Sequence, residues 1–165
     1  MIDFKTLLSA LLDSDVEFVV IGGIAATAHG SARFTQDVDV VYRRTLSNYA
    51  AMTAALASHE PYLRGAPPGL PFRWDEATIK RGLNFTLTTN LGDIDFLGEV
   101  AGGGTYEGLR PHAVEIALFD LPCLYLDLPQ LIQTKRAAGR PKDFEAIAEL
   151  EILLEERQAQ ERENN

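Results

Sequence analysis

Residues 31–44, SARFTQDVDVVYRR, set two carboxylates, Asp37 and Asp39, among Val38, Val40, Val41 and Tyr42, the residue types that a buried strand favours. Alternate side chains of a strand point to one face, so Asp37 and Asp39 project together, roughly 7 Å apart along the chain. Two carboxylates converging on a largely apolar strand repel each other, and one is driven neutral unless a cation lies between them. A magnesium ion, held by a few carboxylates and by the phosphates of a substrate, is the usual cation for such a pair. A second Asp-x-Asp, Asp93 and Asp95 in GDIDFLGEV, falls on another predicted strand. Three carboxylates from two neighbouring strands would suit a two-metal site. The plainer reading of either motif is a strand end reaching solvent or pairing with Lys or Arg, because isolated motifs of this kind are common. Context favours the sharper one. Gly22 and Gly23 close the apolar run VEFVVIGG and open a helix, where bare backbone can approach an anion. A tight strand-to-helix turn is their structural role, and it is compatible with that one.

The elements that must position these groups alternate along the chain. Phe4, Leu7, Leu8, Leu11 and Leu12 recur at helical spacing over 3–12, and 16–23 reads as a central strand buried on both faces. IAATAHG gives a short helix that Gly30 can terminate, the DVDV stretch gives the second strand, and 46–58 gives another helix. Pro61, Pro67, Pro68 and Pro71, with Gly65 and Gly69, make 60–74 a long irregular segment, and we assign it to acceptor selection. LNFTLTT and DIDFLGEV, 83–89 and 93–100, alternate with a period of two around NLG and read as a hairpin. Shorter strands are predicted at 114–119 and 123–128. LPQLIQTKRAAG then forms a helix ending at Gly139, Pro141 opens another, and the charged tail ERQAQERENN reads as a frayed end.

Composition limits the function classes. The chain has 165 residues, which predicts one domain over 1–165, with 46% hydrophobic and 24% charged residues. No apolar run approaches the roughly 20 residues of a membrane span, and MIDFKTLLSA lacks the basic region and cleavage site of a signal peptide, so the expected location is cytoplasmic. Cys123 is the single cysteine, which leaves no disulfide framework and no thiolate zinc site. A net charge of −9, from 15 Lys plus Arg against 24 Asp plus Glu, argues against a protein devoted to gripping long nucleic acid. Lys80, Arg81, Lys135, Arg136, Arg140 and Lys142 can still supply a local basic patch for an RNA end.

Other residues carry weaker signals. His29, His59 and His112 have no metal-ligand spacing, and His29 near a helix end reads as compensating the helix dipole. AGGGTYEG lacks the Lys-Ser or Lys-Thr of a phosphate loop and reads as a flexible turn. Trp74 reads as a core anchor.

The pattern IGGIAATAHGSARFTQDVDVV resembles the signature of the nucleotidyltransferase fold, in which a Gly-Gly or Gly-Ser pair opens a helix and precedes a strand bearing Asp-x-Asp. The closer resemblance is to small bacterial nucleotidyltransferase-like proteins related to the AbiEii toxin family, through Arg33, Thr35, Asp37 and Asp39. LIQTKRAAGRPKDFEAIAEL is similar to that group's lysine followed by an Arg-x-Lys-Asp element. The resemblance implies an α/β (α+β) fold, a mixed sheet flanked by helices with a C-terminal helical pair. It implies that Gly22 and Gly23 clamp the triphosphate of an NTP, that Asp37 and Asp39 ligate two magnesium ions, and that Lys135 reaches the triphosphate. The third carboxylate falls at Asp95 or Asp93, with Asp95 favoured by its apolar neighbours Ile94 and Phe96.

Arg33 is either a phosphate ligand or the partner of a carboxylate. Thr35 shapes the turn, and Arg140, Lys142 and Asp143 read as structural more than catalytic. The implied activity is transfer of a nucleoside monophosphate to a hydroxyl of an RNA end such as tRNA, a protein or a small molecule, with an antitoxin as a possible partner. Two other classes compete: a catalytically inactive relative serving as a binding or regulatory module, and an Asp-x-Asp glycosyltransferase. The retained glycines, aspartates and Lys135 speak against the former. The short chain and the Gly-Gly helix speak against the latter.

Overall fold

The computed structural model describes residues 2–165. It is a mixed α/β arrangement in which helices pack on a seven-stranded sheet. In chain order the elements are α1 (Phe4–Asp13), β1 (Phe18–Ile21), α2 (Gly22–Ala28), β2 (Asp37–Tyr42), α3 (Leu46–Leu56), β3 (Tyr62–Leu63), α4 (Glu76–Arg81), β4 (Asn84–Thr89), β5 (Gly92–Leu97), α5 (Tyr106–Leu109), β6 (Ala113–Leu118), β7 (Leu121–Leu126), α6 (Leu128–Ala138) and α7 (Phe144–Glu163). One-turn 3-10 segments at Arg110–His112 and Pro141–Asp143 join α5 to β6 and α6 to α7.

The strand order is β3-β4-β5-β2-β1-β7-β6. β2 runs antiparallel to β1 and parallel to β5, and β1 runs parallel to β7. This topology explains the unlike burial of the strands. β1 is buried at every position, as expected of a strand with neighbours on both edges and helices over its faces, while β2 loses its apolar character only at Asp37 and Asp39. α1 turns Leu7, Leu8 and Leu11, all fully buried, toward the core, and each such side chain contributes about 1.5–3 kcal/mol. Trp74 anchors the other side, donating from Nε1 to the Met52 carbonyl at 3.0 Å and stacking on Phe96.

Most predicted elements are present, including the hairpin around Asn90–Gly92. The tail differs: ERQAQERENN is helical as far as Glu163, because α7 continues without a Gly or Pro to stop it. The segment 60–74 also contains β3, whose Tyr62 and Leu63 pair with Thr88 and Leu87. Two short helices, α4 and α5, were not expected from the sequence pattern. Among the described residues no helix is long and apolar enough to cross a membrane.

Candidate functional site

The register of the central strands builds the site. In the parallel β2–β5 ladder Asp37 stands opposite Asp93 and Asp39 opposite Asp95, so both Asp-x-Asp motifs present their side chains from adjacent strands. On the other edge of β2, Asp39 stands opposite Ile21, the last residue of β1. Gly22 follows immediately and therefore lies against Asp39. A Cβ at Gly22 would fall 2.2 Å from Asp39 Oδ2, and the backbone there has φ +68°, so both space and conformation call for glycine. At Gly23 a Cβ would fall 2.5 Å from Thr35 Oγ1, whose hydroxyl donates to the Asp37 carbonyl at 3.2 Å. Thr35 thus shapes the entry to β2 and fills the space beside the glycine turn.

Ligand atoms of Asp37, Asp39 and Asp95 lie within 4.8 Å of one another. Asp93 is outside this group, its carboxylate turned to Arg64 at 3.2 Å. The three clustered carboxylates are half-buried, and the cost of crowding them shows in the protonation of Asp37 and Asp39. Burial, then the charge of Asp95, raises the Asp37 carboxyl above the usual range. Asp39 is raised further, first by burial and then by Asp37 and by its hydrogen bond to Asp95. Asp95 Oδ1 is buried and makes no hydrogen bond. Hard oxygen donors and like charges held at close range fit a divalent cation such as magnesium, and Asp95 Oδ1 is ion-paired with the Arg64 guanidinium at 2.9 Å.

The cluster opens into a cavity of about 620 Å³ that Gly22, Gly23, Arg33, Lys135 and Lys142 also line. The α6 face that reaches it carries Leu131, Thr134, Lys135 and Ala138, the i, i+3, i+4, i+7 spacing of one helical stripe. Asp127 caps this helix by accepting from the Gln130 amide at 2.9 Å, and Gly139 ends it in the left-handed region, so the position of Lys135 is fixed at both ends. Arg33 pairs with Glu145 at 3.6 Å across half-exposed surface, and Arg140 pairs with Asp143 at 2.7 Å. Lys135 and Lys142, in contrast, have no ion-pair partner among the described residues, and the Lys142 charge opposes the rise of the Asp37 carboxyl.

Two residues depart from expectation. His29 is buried, with Nε2 at 2.8 Å from the Leu126 carbonyl and Nδ1 at 3.2 Å from Arg157. Burial lowers its pKa, so it is a neutral packing residue and not a cation compensating a dipole. Arg64, which carried no sequence signal, reaches Asp37, Asp93 and Asp95 from the position just after β3. No model of a known protein family matches the chain, and no curated protein matches it.

Proposed function

We propose that the chain is a magnesium-dependent nucleotidyltransferase, in which a hydroxyl oxygen attacks the α-phosphorus of an NTP, a nucleoside monophosphate is transferred and pyrophosphate leaves. The observation that carries this reading is the convergence of Asp37, Asp39 and Asp95 on a cavity also lined by the Gly22–Gly23 turn and by Lys135, which has no ion-pair partner among the described residues. Asp37 and Asp39 would hold the ion that also meets the triphosphate, and Asp95 with Asp37 and Asp39 would hold the second. Bound magnesium supplies charge stabilisation to the entering and leaving oxygens of an in-line displacement.

The protein's own groups do the rest. Gly22 and Gly23 let the nucleotide approach the backbone at the start of α2, whose first turn has no side-chain cap to compete for its amides. Lys135, from a capped helix, neutralises the phosphates, and Lys142 adds a second cation on the same wall. Asp95 would favour loss of the acceptor proton. The acceptor is a hydroxyl of an RNA end, a protein or a small molecule, and the toxin role and antitoxin partner implied by the resemblance belong to this same proposal.

The test is to incubate the protein with each of four NTPs labelled at the α-phosphate, with magnesium and separately with tRNA, a protein extract or a metabolite extract. Label should move from one nucleotide into one acceptor class, and Asp37→Asn with Asp39→Asn should stop it. Label that stays in the nucleotide in every arm would remove the transferase reading.

A further inference from the structure

Beside the acidic cluster, toward the β3 edge of the sheet, stands one arginine. Arg64 directly follows β3, its amide donates to the Thr86 carbonyl at 3.0 Å, and its Nη2 donates to the Leu87 carbonyl at 2.8 Å. Backbone and guanidinium are therefore both fixed to β4, the strand next to the one that carries Asp95. From there each guanidinium nitrogen faces a different carboxylate: Nε meets Asp93 Oδ2 at 3.2 Å, Nη2 meets Asp95 Oδ1 at 2.9 Å and Nη1 meets Asp37 Oδ2 at 3.7 Å. These are ion pairs without hydrogen-bond alignment, since Arg64 Nε and Asp95 Oδ1 make no hydrogen bond. Arg64 thus fixes where the carboxylates stand while leaving Asp95 Oδ1 with unused acceptor capacity. Neither Arg64 nor Asp93 lines the cavity.

The geometry separates the two carboxylates of the second motif. Asp95 joins the cluster, while Asp93, register partner of Asp37, closes on the arginine. We propose that Arg64 is a positioning residue for the metal site, holding Asp95 and Asp37 from the β4 side of the sheet, and that Asp93 anchors Arg64 and is not itself a ligand. This rests on the metal-dependent reading above. Groups that orient metal ligands from outside the coordination shell typically change affinity by 10–100-fold when replaced. A lysine at this position would keep the charge but lose the planar fork that meets three carboxylates at once.

The test is calorimetric titration of Mn²⁺ into the full chain without nucleotide, with thermal melts to confirm folding. Arg64→Gln should weaken Mn²⁺ binding about tenfold. Arg64→Lys should recover only part of that loss, and Asp93→Asn should weaken binding less than Arg64→Gln and add little to it in the double variant. If Arg64→Gln does not fold, Arg64→Lys and Asp93→Asn carry the test by the same criteria. Unchanged or tighter binding in Arg64→Gln, or full recovery by lysine, would overturn the positioning role while leaving the metal site standing. A folded wild type that binds no Mn²⁺ would remove the metal site, and this inference with it.

Discussion

Strands β2 and β5 at the centre of the sheet and β6 and β7 in its wing have the same length, yet they handle polar groups in opposite ways. At the centre, β2 and β5 hold Asp37, Asp39, Asp93 and Asp95 in register, half-buried, against one arginine. In the wing, burial pushes the Cys123 thiol up to about 11 and leaves it inert, and the Tyr125 hydroxyl is buried without a partner. Neither Cys123 nor Tyr125 lines the cavity of the acidic site. The centre's polar groups converge on one point. Like charges gathered at one point at a cost in stability are what a binding site requires, whereas scattered unsatisfied atoms are only a packing defect.

The comparison breaks most sharply at Gly22. Gly22→Ala must place a Cβ within 2.2 Å of Asp39 Oδ2 on a backbone with φ +68°. We expect loss of nucleotide binding and a destabilisation of about 1–3 kcal/mol, read by calorimetry and by chemical denaturation.

A second prediction concerns pH. Asp39 has its carboxyl raised from 3.8 to about 8 in the folded protein. The folded state then holds a proton that the unfolded chain has released. Its contribution to stability is full below pH 4 and is lost as pH rises toward 8. Asp3 and Asp75, lowered by capping hydrogen bonds to Thr6 and Thr78, act in the opposite sense and at lower pH. The melting temperature of the magnesium-free protein should therefore fall between pH 5 and 8. Asp39→Asn, or excess magnesium, should flatten that slope.

The smallest effect belongs to the wing. Phe119 and Asp120 form the two-residue turn between β6 and β7 with φ 56° and 60°, a conformation that Asn-Gly adopts more readily. Phe119→Asn with Asp120→Gly should stabilise the protein by about 1 kcal/mol, read by denaturation, and leave metal binding unchanged. A change in metal affinity would mean that the wing and the site are coupled.

How far the sequence revealed this molecule depended on the range of the interactions. The Asp-x-Asp strand, the Gly-Gly turn and the α6 helix ending at Gly139 were legible because each is a local pattern within a few residues of chain. The sequence left Asp93 and Asp95 as alternatives, since both share a face of β5. The third dimension separates them, because only Asp95 joins Asp37 and Asp39 and lines the cavity, while Arg64, which meets both, directly follows a strand of two residues and has no periodicity to betray it. Lys142 was legible as part of a basic patch and read as structural, but its place on the cavity lining depends on the Pro141–Asp143 turn between α6 and α7.

The most direct test of the central claim is calorimetric binding of ATP, GTP, CTP and UTP, with and without magnesium, to the wild type and to the Asp37→Asn, Asp39→Asn double variant. The account predicts magnesium-dependent binding of at least one nucleotide by the wild type, and its loss in a variant that still folds. Absence of nucleotide binding by a folded wild type, or binding that survives in the variant, would contradict it.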